Sequence, residues 1–269
     1  MAKKIELPDY KQPPVTEGAV SIQFAPLEEL TAAHVGLYWT KIKHEFPNVT
    51  EQPPIVHIVE RPEPEYRFEA SLSQKPDLPR IWFADKTGTA LIQVQRDRFV
   101  YNWRRAKNSD TYIRFPAVKA QFLRRWREFL AFLKEQDAPA PQVDQCELTY
   151  VNRIDQGELW KSPAEWGNVF PSLTWKPKSN FLPEPENLRL HMRFGAPNVG
   201  GRMHVDILPA MLPGSKAPII HFSLTVRGLP SELTDEAVDS WYETAREWIV
   251  AGFADLVSKE ADVLWQRQR

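Results

Sequence analysis

The chain has 269 residues, 42% hydrophobic and 26% charged, which is the balance of a folded globular protein and excludes a disordered or fibrous one. Its net charge of −1 supplies no global attraction to nucleic acid or acidic membranes, and its single cysteine, Cys146, excludes an internal disulfide framework and fits a reducing compartment. No apolar run approaches the roughly 20 residues that span a bilayer, and MAKKIELPDYKQPP lacks the apolar core of a secretory signal, so a cytoplasmic protein without a membrane role is expected.

In chain order, GAVSIQF (18–24) alternates as a strand and is bounded by Pro26. Leu30, His34, Leu37, Tyr38, Ile42 and Phe46 recur at helical spacing up to Pro47. A proline-rich passage from Pro53-Pro54 follows, with a further strand expected at IVHIV (55–59). RIWFA (80–84), ALIQVQ (90–95) and RFVYNWR (98–104) read as three successive strands, and 117–133 as a helix with Val118, Phe122, Phe129 and Leu133 on one face. APAP (138–141) closes that unit.

The order then begins again. CELTYVNRI (146–154) is strand-like, and SPAEWGNVF (162–170) has the Ser cap and first-position Pro of a short helix. LRLHMRF (188–194), RMHVDIL (202–208) and IIHFSLTVR (219–227) are three strands, and 234–257 is an amphipathic helix with a Thr cap and early acids. Both halves therefore read strand, helix, strands, long helix. TEGAVSIQF and CELTYVNRI also share wording, with Glu17 and Glu147 in corresponding places. These features predict an α+β fold made of a duplicated unit, residues 1–141 and 142–269. The two lobes are expected to form one continuous body with an antiparallel sheet and helices on one face. Saddle-like folds of the TATA-binding-protein type have this element order, an analogy of fold that carries no function.

The charge is unevenly spread. From Arg96 to Arg127 ten Lys/Arg face two acids, a local balance of +8, whereas from Gly228 onward nine acids face four bases, or −5. Around the reversal at Arg96-Asp97, pairing Gln95 with Arg98 and Val94 with Phe99 turns Phe99, Tyr101 and Trp103 to the core. That register leaves Gln93, Gln95, Arg98, Val100, Asn102 and Arg104 on the opposite face. In the second half Arg189, His191, Arg193, His204, Asp206 and His221 fall on the polar side of their strands.

Turns centred near Asn198 and Pro213 would set His191, His204 and His221 abreast. Zinc held by these three, supported by Asp206, is chemically allowed. Adjacent strands lie about 4.8 Å apart, however, so three rings in line converge only on a strongly curved sheet. The competing readings are a polar face that contacts a protein partner or anion, and a solvated face with no ligand. Phosphate-binding and dinucleotide glycine motifs and a nucleophile elbow are all missing from the sequence. Cys146 sits in an apparent strand as a small core residue rather than a nucleophile. The carboxylates Glu17 and Glu147 suit partners at a half-interface better than acid–base work. Neither catalysis nor a cofactor is expected.

PPVTEGAVSIQFAPL (13–27), IWFADKTGTALIQVQRDRFVYNWR (81–104) and CELTYVNRI (146–154) together resemble a sporadically distributed family of uncharacterised bacterial proteins of about this length. Sporadic occurrence is common among accessory genes, including defence and toxin–antitoxin components, so the resemblance implies a partner-binding or inhibitory role. The leading expectation is a non-catalytic protein that binds a partner or anionic small molecule through the eleven residues Gln93, Gln95, Arg98, Asn102, Arg104, Arg189, His191, Arg193, His204, Asp206 and His221. The alternatives are a metal-dependent hydrolase or nuclease built on His191, His204 and His221, and nucleic-acid binding through residues 96–127.

Overall fold

Among the described residues there are nine strands, most of them built on alternating apolar and polar residues: β1 (Val15–Phe24), β2 (Asn48–Gln52), β3 (Arg80–Ala84), β4 (Ala90–Gln95), β5 (Arg98–Arg104), β6 (Val143–Asp155), β7 (Leu190–Ala196), β8 (Gly201–Met211) and β9 (Pro218–Gly228). The computed structural model describes residues 6–60, 78–107, 110–179 and 181–269. The strands form one antiparallel sheet in the order β2-β3-β4-β5-β1-β6-β9-β8-β7, with β1 and β6 paired at its centre. Four α-helices accompany it among the described residues: α1 (Ala32–Ile42), α2 (Phe115–Glu135), α3 (Asp235–Leu256) and α4 (Lys259–Leu264). The protein is therefore α+β.

The helices cover one face. Phe99 of β5 is fully buried, stacked on Phe129 of α2 at 5.0 Å and close to Trp126 at 5.6 Å. Phe222 of β9 stacks on Phe253 of α3 at 5.6 Å. The two long helices meet where Phe122 packs edge-on against Tyr242 at 5.3 Å. Tyr38 of α1 joins the cluster against Phe83 and Phe129. Aromatic rings dominate this layer because each removes a large apolar area from water, and offset or edge contacts add to that.

The hairpin of β4 and β5 has the predicted register: Gln95 pairs with Arg98, Val94 with Phe99 and Ile92 with Tyr101. Phe99, Tyr101 and Trp103 are buried on the helix side. Other expectations need correction. Residues 55–59 form no strand; they run extended across the sheet face, as described below. The short helix expected at 162–170 is present, but as a 3-10 helix (Pro163–Asn168) whose Ser162 makes no side-chain capping bond, and a second 3-10 helix follows at Pro171–Leu173. Pro171 lacks an N–H and restricts Phe170, which stops an α-helix from propagating there. The edge strand β2, NVTEQ, was unforeseen because it is polar and almost wholly exposed, so it carries no alternation to read. α4 was also unforeseen; Ser258 caps it by accepting from the Ala261 N–H.

Gly201 and Gly228 face each other across β8 and β9, where a Cβ on Gly201 would lie 1.8 Å from the Arg227 carbonyl. Only glycine allows that approach. Among the described residues, no helix is long and apolar enough to cross a membrane.

Because Phe99 joins β5 to three rings of α2, Phe99→Ala should lower the unfolding free energy by about 3–5 kcal/mol. Urea denaturation followed by tryptophan fluorescence measures this. A loss below 1 kcal/mol would mean that the ring does not fill the helix–sheet interface.

Candidate functional site

The face of the sheet away from the helices carries the polar members of each strand, and antiparallel pairing sets them in rows. One row runs directly across four strands: Gln95 of β4 opposite Arg98 of β5, Arg98 opposite Gln23 of β1, and Gln23 opposite Gln145 of β6. All four are buried. Their cover is the chain itself, residues 53–60, crossing over the strands.

The amides of the row bind the backbone of that segment. Ile55 N–H donates to Gln95 Oε1 at 2.8 Å, and Gln95 Nε2 returns a bond to Ile55 O at 2.8 Å. Ile58 O accepts from Gln23 Nε2 at 2.7 Å and from Gln145 Nε2 at 2.9 Å. Glu60 N–H donates to Gln145 Oε1 at 2.7 Å, and Arg98 Nη2 reaches Val56 O at 3.5 Å. The spacing is natural for an extended chain. Three residues rise about 10 Å, comparable with the two to three strand spacings, about 4.8 Å each, between Gln95 and the Gln23–Gln145 pair.

Side-chain contacts fix the middle and the far end. His57 Nδ1 lies 2.9 Å from Asp97 Oδ2, and its Nε2 lies 3.4 Å from Asp144 Oδ2. Glu60 hydrogen-bonds His204 Nε2 and accepts from Arg202 Nη1 at 3.0 Å. Val56 and Ile58 point away and are 73% and 47% exposed. The segment is therefore held through peptide groups and through the side chains of His57 and Glu60.

Two carboxylates mark the rest of the face. Glu147 of β6 accepts from Arg98 and Arg227. Burial pushes its carboxyl up, but the Arg227 and Arg98 guanidiniums outweigh this and hold it below the ordinary 4.5. Glu17 of β1 accepts from Asn102 Nδ2, and here burial wins over Asn102, Arg104 and Arg80, so its carboxyl is raised. Asn102 also accepts from Gln93, whose own carbonyl oxygen accepts from Arg80 and Trp82. Arg80 and Arg104 both lie over the Trp82 ring, at 5.3 and 5.5 Å.

Of the anticipated site residues, Gln93, Gln95, Arg98, Asn102, Arg104, His191, Arg193, His204, Asp206 and His221 lie on strands of this face. The expectation that Gln93, Gln95, Arg98 and Asn102 are open to a ligand is corrected. They are 6%, 5%, 4% and 2% exposed, because they are bonded to one another, to Glu17 and Glu147, and to the crossing segment. Arg104 donates its Nε–H to Gly88 O. Arg189 and Arg193 are exposed towards the β7 edge.

The three histidines do not stand abreast. His191 faces Asp206, His204 faces Thr225, and His221 faces Leu208 near the other end of β8. His191 and His204 do approach, with ring centroids 5.6 Å apart, and His191 Nδ1 is 2.8 Å from Asp206 Oδ1. Burial lowers the His221 pKa from its ordinary value, against the opposing charge of Asp206. Among the described residues, no group of three His, Cys, Asp or Glu side chains is placed to hold a metal ion. The register differs because the β8–β9 hairpin turns between Met211 and Pro218, shifting its centre from the assumed Pro213. Cys146 is fully buried, and burial pushes its thiol up to about 12.

The basic stretch is compensated. Lys119 reaches Asp239 and Glu243 of α3 at 2.7 Å each, and Arg127 reaches Asp235 at 2.8 Å. Arg124 and Arg125 pair with Glu45 and Glu128. The opposed charges of the two halves thus meet between α2 and α3 on the helix side. Sequence reasoning missed Gln23, Gln145, His57, Glu60, Asp97 and Asp144. The only sequence signal for the row was a glutamine near one end of each of three strands. No protein-family model matches the chain, and neither a curated protein nor a solved structure is significantly similar to it.

The two carboxylates should respond oppositely to neutralisation. Glu147 has a depressed folded-state pKa, so its stabilisation is present above about pH 4.5 and fades as the pH falls through its folded value. Glu147→Gln should therefore cost about 3 kcal/mol at pH 7 by stranding Arg98 and Arg227, and the deficit should shrink below pH 4.5. Glu17→Gln, which removes a charge that burial disfavours, should be neutral or stabilising at pH 7. Urea unfolding across pH tests both, and equal effects of the two changes would refute the assignment.

Proposed function

We propose that this protein is a non-catalytic binding protein that holds an extended segment of a protein partner on the helix-free face of its sheet. The observation that carries the reading is the row Gln95, Arg98, Gln23 and Gln145, whose side chains hold peptide groups of residues 53–60. A primary amide offers one acceptor and two donors, the complement of a peptide group, and it is neutral. An anionic ligand is less well served, since Arg98, Arg227 and Arg202 already face Glu147 and Glu60. The nucleic-acid alternative is less well served, because Lys119, Arg124, Arg125 and Arg127 of the basic stretch already face acids. The hydrolase alternative required three convergent histidines, and the observed register separates them. Resemblance to a sporadically distributed bacterial family agrees with an accessory role, antitoxin-like or in defence.

The proposal extends to the origin of the fold as a duplicated unit with a saddle-like strand order. Aligning Glu17 with Glu147 gives an offset of 130 residues (147 minus 17), which makes Thr149 the equivalent of Ala19. Those two residues face each other across β1 and β6, where a two-fold axis relating the halves would pass. On either side the order runs outward as β5, β4, β3 and as β9, β8, β7.

The test is partner retention by the tagged full chain expressed in its native host. Gln23→Leu with Gln145→Leu should reduce retention of the captured partner at least tenfold, a loss of 1.4 kcal/mol or more, while Lys259→Ala on the helix side leaves it unchanged. Stoichiometric zinc or manganese that is lost on His204→Ala would instead favour the hydrolase. Nucleic-acid binding that weakens steeply with salt would favour the third reading.

A further inference from the structure

The segment that covers the polar row is bound as a peptide ligand would be, though it belongs to the chain. Its contacts are with side chains from β4, β5, β1, β6 and β8 and with Asp97 and Asp144. It contributes no ladder hydrogen bond to the sheet, whose strand register is complete without it. It begins the connection from β2, which ends at Gln52, to β3, which starts at Arg80. Both ends of that connection stay anchored in paired strands if residues 53–60 leave.

Recognition within the segment is uneven. Ile55, Val56 and Ile58 are bound through backbone atoms, and Val56 and Ile58 expose their side chains. The charged anchor at its far end is different. The Glu60 side chain is 7% exposed, between His204 and Arg202, with Arg227 nearby. Pro53-Pro54 at the other end favours an extended entry, so less freedom remains to be lost on docking. Such a groove accepts varied side chains at the positions of Val56 and Ile58, but selects for an imidazole or cation facing Asp97 and Asp144 and for a carboxylate facing His204 and Arg202.

We propose that residues 53–60 are an intramolecular occupant of a peptide-binding groove, exchanged for an extended partner segment that sets a carboxylate against His204 and Arg202. This rests on the partner-binding reading above and adds to it the chemistry of the partner and the competitor it must displace. A tethered occupant competes at millimolar effective concentration. The uncovered amides would hydrogen-bond to water until the partner's peptide groups replaced it, so exchange leaves no buried polar group unmet.

The experiment uses a fluorescein-labelled peptide of residues 53–60 (Pro-Pro-Ile-Val-His-Ile-Val-Glu) and the full chain, followed by anisotropy. Two release variants are compared with the parent: Glu60→Lys, which sets a cation against Arg202, and a chain whose residues 55–60 are replaced by Gly and Ser. The peptide should bind each release variant at least tenfold more tightly than the parent. Changing the peptide's final Glu to Gln, or adding Gln145→Leu to the release variant, should each remove at least tenfold. Equal binding by parent and folded release variants would overturn the proposal. So would loss of the folded state in both variants, because an exchangeable occupant is not required for folding. In either case, partner retention that still depends on Gln23 and Gln145 leaves the partner-binding reading standing. Retention that ignores those residues removes that reading instead.

Discussion

The architecture depends on the pairing of β1 with β6. Backbone hydrogen bonds from Val15–Asn152 to Phe24–Val143 join strands that would otherwise be the edges of two smaller sheets. Side chains in a strand alternate between faces, so this one register decides which residues of both halves share a side. It sends Val20, Ile22, Cys146 and Leu148 towards the helices and Gln23, Gln145 and Glu147 away from them. The helix layer and the amide row are therefore two results of a single alignment.

On the helix side the physics is burial. Phe99, Phe122, Phe129, Phe222, Tyr242 and Phe253 interlock into one layer, and the ion pairs of Lys119 and Arg127 with Asp239, Glu243 and Asp235 close the seam between the long helices. The other face is governed by hydrogen-bond satisfaction. A polar row in the middle of a sheet has to be solvated, bonded to itself or covered by groups that complement it. The crossing peptide does the last for Gln95, Gln23 and Gln145, while Glu147 faces the Arg98 and Arg227 guanidiniums and the peptide's own Glu60 faces Arg202. That division leaves burial to one side and the holding of the crossing segment to the other.

The hairpin at Arg96-Asp97 was legible in the sequence because alternation and a two-residue reversal allow only one register with all three aromatics buried. The long helices were legible from their periodicity and caps. The histidine geometry was not, since sliding the turn of the β8–β9 hairpin moves His221 along the strand without disturbing the alternation of either one. IVHIV was misread for a related reason: an extended chain with alternating side chains looks the same whether its peptide groups bond to a neighbouring strand or to glutamine amides above a sheet. Gln23 and Gln145 went unnoticed because, 122 positions apart (145 minus 23), they form a pair only once β1 and β6 are aligned.

By itself the sequence determined the α+β class, the helices' apolar stripes and the face to which most strand residues turn, because these follow from local period and from the free energy of burying apolar area. Tertiary structure alone decided which polar residues became neighbours, which charges were cancelled and what lies over the amide row. Those outcomes rest on contacts between segments far apart in the chain, where strand order and register, rather than local composition, set the distance between one side chain and the next.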